Sequence, residues 1–205
     1  MSQSWIMIDY GVGNVFSLME ALKRCGIECT LTRDPQHIKD AKVILLPGVG
    51  AFEDAMKQLR KYKLDTILKE KKEDQWLVGI CLGMQLLYDE SEEFGIHKGL
   101  GFLKGRIVKF EDLSLKIPHM GWNVLNQNQA SHPLLKGLNS LDRVYYVHSY
   151  YASQIEEKIL VASSDYGVDV PGIVMKDRVI GFQFHPEKSG QVGEQLLRNL
   201  KEVCV

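Results

Sequence analysis

Cys81 is the residue whose setting best suits nucleophilic chemistry. It lies in Trp76-Leu77-Val78-Gly79-Ile80-Cys81-Leu82-Gly83-Met84-Gln85, an apolar run that passes through G-x-C-x-G into a helical pattern. A strand that turns sharply into a helix presents a nucleophile at its tip, and this is the cysteine form of the G-x-S-x-G elbow. Gly79 and Gly83 suit such a turn because they carry no β-carbon to clash. The turn places Cys81 at the positive end of a helix, which favours the reactive thiolate. It leaves the Leu82 N–H free to donate to an oxyanion. Taken alone, the pentapeptide also fits a buried structural cysteine.

A base and its orienting acid stand far along the chain, in Val179-Ile180-Gly181-Phe182-Gln183-Phe184-His185-Pro186-Glu187. Pro186 holds His185 in an extended conformation. In an extended chain, residues i and i+2 point to the same side, which directs Glu187 at the His185 ring. An imidazole base with a carboxylate to fix its tautomer is what a cysteine nucleophile needs. A histidine ending a strand beside a surface glutamate is the bland alternative. The elbow cysteine tips the balance toward chemistry.

A third stretch, Leu45-Leu46-Pro47-Gly48-Val49-Gly50-Ala51-Phe52, follows an apolar run. Its glycine-rich turn leaves backbone N–H groups free, so Val49 or Gly50 can complete an oxyanion hole. Gly11-x-Gly13 hints at a dinucleotide site, but Phe16 stands where the third glycine belongs, so that fingerprint fails. No phosphate-binding G-x-x-x-x-G-K-S/T occurs.

These residues must be carried by a scaffold, and composition bounds it. The 205 residues are 45% hydrophobic, with 25 basic and 26 acidic side chains and a net charge of -1. One domain over residues 1–205 is expected. The near-zero balance offers no footprint for nucleic acid or an anionic membrane. Lys69 to Lys72, interrupted by Glu70, reads as a solvated helix end. No apolar run reaches the ~20 residues of a membrane span, and Met1 to Asp9 is too short and polar for a signal peptide. A soluble, cytoplasmic protein is expected. Cys25, Cys29, Cys81 and Cys204 include no C-x-x-C pair, and no histidines have zinc-ligand spacing, so neither a metal nor a cofactor is expected. Cys25 and Cys29 read as core residues of a helix end and the next strand.

The hydrophobic pattern predicts strands over 5–9, 28–32, 43–46 and 76–80 and helices over 15–24, 52–68 and 82–88. Strands apolar throughout, alternating with helices, imply an α/β fold with an open, mostly parallel sheet covered by helices on both faces. After about residue 100 the rhythm changes. Short strands are predicted over 106–110, 122–125, 144–151, 159–163, 173–175 and 179–184, as antiparallel additions to the sheet. An amphipathic helix over 191–203 closes the chain.

With the motifs in place, G-I-C-L-G-M-Q and F-H-P-E resemble the class I (triad) glutamine amidotransferases, and the strand and motif order agree along the whole chain. The resemblance implies a flavodoxin-like glutaminase fold and glutamine as substrate. It gives Cys81 as nucleophile, His185 as base and Glu187 as third member. Gln85, on the helix face of Cys81, matches the glutamine-binding Gln. Glu93 matches the acid that receives the substrate's amino group, although Glu90 to Glu93 also fits a solvated helix end. Within the class, the P-G-V-G-A-F turn is similar to the glutaminase subunits of imidazole glycerol phosphate synthase, of histidine biosynthesis. Asp9 to Asn14, Pro118 to Asn123 and Tyr145 to Tyr150 match further segments, the last the glutamine-binding strand with Ser149 and Tyr150. The implied partner is a (βα)8-barrel cyclase subunit in a heterodimer, with Asn14, Met120 and Trp122 at the interface. Core packing of Trp122 is the alternative for that residue. His119 and His148 are left as core or surface histidines.

Overall fold

The computed structural model describes residues 4–111 and 115–204. Its first half alternates strands and helices. β1 (Trp5–Ile8), α1 (Val15–Arg24), β2 (Cys29–Thr32), α2 (Pro35–Asp40), β3 (Val43–Leu46), α3 (Phe52–Lys61), α4 (Leu64–Lys69), β4 (Trp76–Ile80) and α5 (Leu82–Leu86) follow in order. The second half is mostly β. It runs β5 (Tyr88–Ser91), β6 (His97–Lys98), β7 (Leu103–Lys109), β8 (His119–Val124), β9 (Arg143–His148), β10 (Tyr150–Ser153), β11 (Leu160–Asp165), β12 (Asp169–Lys176) and β13 (Val179–Phe182), then ends in α6 (Gly190–Val203).

Seven strands form the main sheet in the order β11-β12-β13-β4-β3-β1-β2. From β13 to β2 every pairing is parallel, and β11 and β12 join as antiparallel additions. The apolar runs are explained by burial on both faces. In β1, Trp5 and Met7 pack with α1 and α6 on one side, while Ile6 and Ile8 pack with α3 and α4 on the other. In β3, Val43 and Leu45 share the first side and Ile44 and Leu46 the second.

Several expectations change in detail. The antiparallel strands do not all join the main sheet. β10-β7-β5-β6 form a four-stranded sheet, and β8 and β9 pair as a separate ribbon. The single strand expected over 144–151 is two strands in different sheets, broken at Ser149. The helix expected over 52–68 is broken at Lys63, whose φ of 56° is left-handed. No glycine marks that break, which puts a strained conformation on an ordinary side chain at about 1 kcal/mol. The helix expected to reach Tyr88 ends at Leu86, and Tyr88 to Ser91 extends as β5, so Glu90 is in a strand rather than a helix end. α2 was not expected, since Ile38 is its one buried residue. Its marks were Asp34, whose carboxylate accepts from the Gln36 and His37 N–H groups, and Pro35 in the first turn.

Candidate active site

Parallel neighbours β13, β4 and β3 end together, and the loops after them build the site. Cys81 follows β4 directly, at φ 56° and ψ −114°. A non-glycine residue at positive φ at the tip of a strand is the strained elbow that the sequence pattern implied. The strain is imposed by close backbone packing. A β-carbon at Gly83 would lie 1.8 Å from the Leu46 carbonyl oxygen, and one at Gly79 would lie 2.5 Å from that of Gly83. The Cys81 N–H donates to the Phe182 carbonyl at 2.7 Å, which fixes the nucleophile against β13. α5 is only five residues long. A helix so short supplies a small dipole, so stabilisation of the thiolate falls mainly to a neighbouring cation.

His185 supplies that cation. Its side chain is buried, and Nδ1 lies 2.7 Å from the equally buried Glu187 Oε1. Glu187 reaches the ring by a route other than the one expected. His185 is extended, at φ −100° and ψ 98°, but Pro186–Lys188 is a 3-10 turn, and this turn swings the carboxylate under the ring. The Ser189 hydroxyl donates to the His185 carbonyl and the His185 N–H donates to that of Tyr145, so the backbone is pinned on both sides. Among the described residues the buried Nε2 has no hydrogen-bond partner, and His185 and Cys81 line one cavity. Burial alone would lower the pKa of His185. The close approach of Cys81, the hydrogen bond to Glu187 and the charges of both outweigh that and raise it to about 10.

The cavity holds about 320 Å³, enough for a small amino acid. Val49, Gly50, Leu82, Gln85, Glu93, Ser149 and Tyr150, all named from the sequence, line it with Cys81 and His185. Gln85 is buried and donates from Nε2 to the Tyr150 carbonyl at 2.8 Å and to Gln183 Oε1 at 3.0 Å. Glu93 follows β5, and its Oε2 accepts from the N–H of Phe52, the first residue of α3, at 2.6 Å. Burial raises its pKa and that N–H opposes the shift. The oxyanion turn is buried at Pro47 and Gly48 and exposed at Val49 and Gly50. A β-carbon at Gly48 would come within 2.7 Å of the Gly83 nitrogen, so the turn is wedged onto the elbow at its start. Gly50, at φ 90°, has open space around it.

Asn14, Met120 and Trp122 do not line the cavity. Asn14 precedes α1 with no capping hydrogen bond from its side chain. Gly13 beside it packs on Pro47. Met120 is 57% and Trp122 52% exposed on β8, and Trp122 touches Tyr145 edge-on, so core packing of Trp122 is excluded. Pro118, Val147 and His148 line the cavity as well; the last two lie in the stretch matched to the glutamine-binding strand, though only Ser149 and Tyr150 were named from it. The two histidines left open, His119 and His148, are both buried.

The comparisons with known proteins bear on this geometry. The family model described as glutamine amidotransferase class-I matches residues 6–202. The chain is 49% identical to the imidazole glycerol phosphate synthase subunit HisH of Bacillus subtilis (strain 168), over 97% of this chain and 95% of the relative. It is 48% identical to the subunit of the same name from Geobacillus kaustophilus (strain HTA426), over 94% and 93%. A solved glutamine amidotransferase superposes with a TM-score of 0.76 at 23% identity, covering 97% of this chain and 98% of the other, which supports the fold. The chain belongs to the class-I glutamine amidotransferases.

Proposed function

We propose that Cys81, His185 and Glu187 hydrolyse the side-chain amide of glutamine through a thioester. The Cys81 thiolate attacks the amide carbon. The oxyanion accepts from the Leu82 N–H and from Val49 or Gly50. His185 Nε2–H protonates the leaving nitrogen, so the carbon–nitrogen bond breaks and ammonia departs. Nε2, now unprotonated, takes a proton from water as it attacks the thioester, releasing glutamate and the thiolate. Glu187 holds the proton on Nδ1 and stabilises the imidazolium. Gln85 and Glu93 orient the substrate, Glu93 by its negative charge toward the ammonium, and Ser149 and Tyr150 border the same pocket.

The chain is the glutamine-hydrolysing subunit of an imidazole glycerol phosphate synthase, an enzyme of histidine biosynthesis. Ammonia escapes to water and becomes non-nucleophilic ammonium, so a second subunit must receive it directly. We assign that role to a (βα)8-barrel cyclase subunit in a cytoplasmic heterodimer. It docks on Met120, Trp122 and Asn14, and a flip of the Val49–Gly50 peptide supplies or withdraws an oxyanion donor. Residues 1–205 act as one glutaminase domain. Among the described residues no helix is long and apolar enough to cross a membrane.

The observation that carries the reading is the His185–Glu187 pair, 2.7 Å apart and buried, with Nε2 unclaimed beside Cys81. Labelling by a glutamine-analogue diazoketone tests it. One adduct per chain at Cys81, blocked by glutamine, is expected. Labelling elsewhere, or none, overturns the assignment. Mixing with the cyclase subunit should raise glutamine turnover. Full turnover by the chain alone removes the gating role of the turn.

A further inference from the structure

His119 and His148 face each other across the β8–β9 ribbon, as paired residues of its register. His119 Nδ1 lies 3.0 Å from His148 Nε2, and both rings are buried. The other ring nitrogens fix the tautomers. His148 Nδ1 lies 2.8 Å from the Tyr150 carbonyl, an oxygen that only accepts, so this nitrogen carries the proton. Neutral His148 then has a bare Nε2, which accepts from His119 Nδ1–H. His119 Nε2 is bare in turn, and the Asn123 amide donates to it at 3.4 Å. Burial lowers the pKa of His119 to about 4 and that of His148 to about 3, so both rings are neutral at physiological pH. The chain of bonds therefore runs one way, from Asn123 through His119 and His148 to the Tyr150 carbonyl.

That carbonyl is also the acceptor for Gln85 Nε2, at 2.8 Å. It belongs to the first residue of β10, just past Ser149, where the chain leaves the ribbon for another sheet. Two side chains, His148 and Gln85, converge on it there. The ring that starts the relay cannot drift, since His119 stacks between Tyr146 and Tyr166 at centroid distances of 4.5 and 3.9 Å.

We propose that His119 and His148 are positioning residues of the glutamine pocket. The His119 N–H orients His148, His148 aims the Tyr150 carbonyl, and the carbonyl holds the Gln85 amide in its substrate-binding pose. The proposal rests on the glutaminase reading and adds two residues that touch no reacting atom. It also joins the pocket to the strand whose outer face carries Met120 and Trp122.

The test compares His119→Asn with His119→Leu, with His119→Gln as a second variant should the leucine form not fold. The Asn amide nitrogen takes the place of Nδ1 and keeps the donor to His148. Leu has no donor, and Gln places its donor one carbon too far. Two electrophiles then read Cys81. A glutamine-analogue diazoketone must occupy the pocket before it alkylates, and iodoacetamide need not. Leu or Gln should raise the half-saturating diazoketone concentration about tenfold with iodoacetamide reactivity unchanged, and Asn should restore the wild-type value. Equal behaviour of all variants, or parallel loss with both reagents, overturns the positioning role. If the wild-type chain itself is not alkylated by the diazoketone, the glutaminase reading fails instead, so the two failures are distinguishable.

Discussion

The elbow and the ribbon flank one cavity but are held in place by different physics. At the elbow, backbone touches backbone. Gly83 lies against the Leu46 carbonyl, Gly48 against the Gly83 nitrogen, and the Cys81 N–H is tied to β13. At the ribbon only two strands pair, and the geometry that reaches the pocket passes through imidazole rings and an amide. The nucleophile is thus fixed by contacts that no side chain can relax, while the substrate pocket is set by hydrogen bonds that can be tuned one at a time. Substitutions at the two places should differ in kind.

The largest effect is expected on the chemistry itself. Cys81→Ala should lower glutamine turnover by about 10⁴-fold or more, as removal of a triad member does elsewhere. The fold should survive, because the main sheet does not depend on the sulfur. Turnover of the purified variant with glutamine, beside its thermal unfolding curve, checks both halves. Gly83→Ala should do the opposite. Its β-carbon would lie 1.8 Å from the Leu46 oxygen, a clash with backbone that no rotamer relieves. A loss of roughly 4 kcal/mol or more is expected, in the range reserved for severe strain. Denaturant unfolding measures it, and a stable, active variant would show that the elbow is less rigid than the contacts imply.

The same contrast explains what could be read from the chain. The centre of the main sheet was legible because β3 and β4 are apolar throughout and run into glycine or proline, as in Val43 to Gly48 and Trp76 to Gly83. The elbow was legible because close packing demands glycine at fixed places, and glycine is visible in a sequence. The ribbon's strands were expected over 122–125 and 144–151, but the part of His119 and His148 was not, because it turns on ring orientation and no spacing rule ties two histidines far apart in the chain. The break at Ser149 was hidden inside a continuous β-like run, Val144 to Tyr151. The Lys63 break carries no glycine, and its neighbour Tyr62 is covered by the Arg33 guanidinium 4.4 Å away, a contact made only after folding. Glu187 was rightly paired with His185 for a partly wrong reason, since the 3-10 turn of Pro186–Lys188 makes the contact.

A smaller effect should separate the two regions by pH. At the elbow, His185 has its pKa raised to about 10, so its contribution to stability is present below about pH 6.5 and lost as pH rises toward 10. At the ribbon, burial depresses His119 to about 4 and His148 to about 3, so their contribution is present above about pH 6.5 and lost as pH falls through those values. The wild-type unfolding free energy should therefore decline on both flanks. His119→Leu should flatten the acid flank between pH 6.5 and 4 by about 2 kcal/mol, and His185→Asn the alkaline flank. Urea titrations across pH distinguish the flanks, and a single variant that flattens both would mean the regions titrate as one unit.

The smallest effect is expected at Tyr10, where a side chain enters the elbow's territory. Tyr10 is fully buried, and its hydroxyl donates to the Pro47 carbonyl at 2.6 Å while packing against Gly48. Burial, then the charge of Cys81, raises its pKa well above the usual phenol range, so it stays a donor. Tyr10→Phe removes one hydrogen bond from a buried carbonyl and leaves the ring, which should lower stability by about 1–2 kcal/mol. If the elbow is held by backbone packing, as Gly48 and Gly83 indicate, the Pro47 turn should keep its place and Cys81 should react with iodoacetamide at the wild-type rate. If that rate changes severalfold with only a small loss in stability, the turn is set by a side chain after all, and the elbow resembles the ribbon more than its glycines suggest.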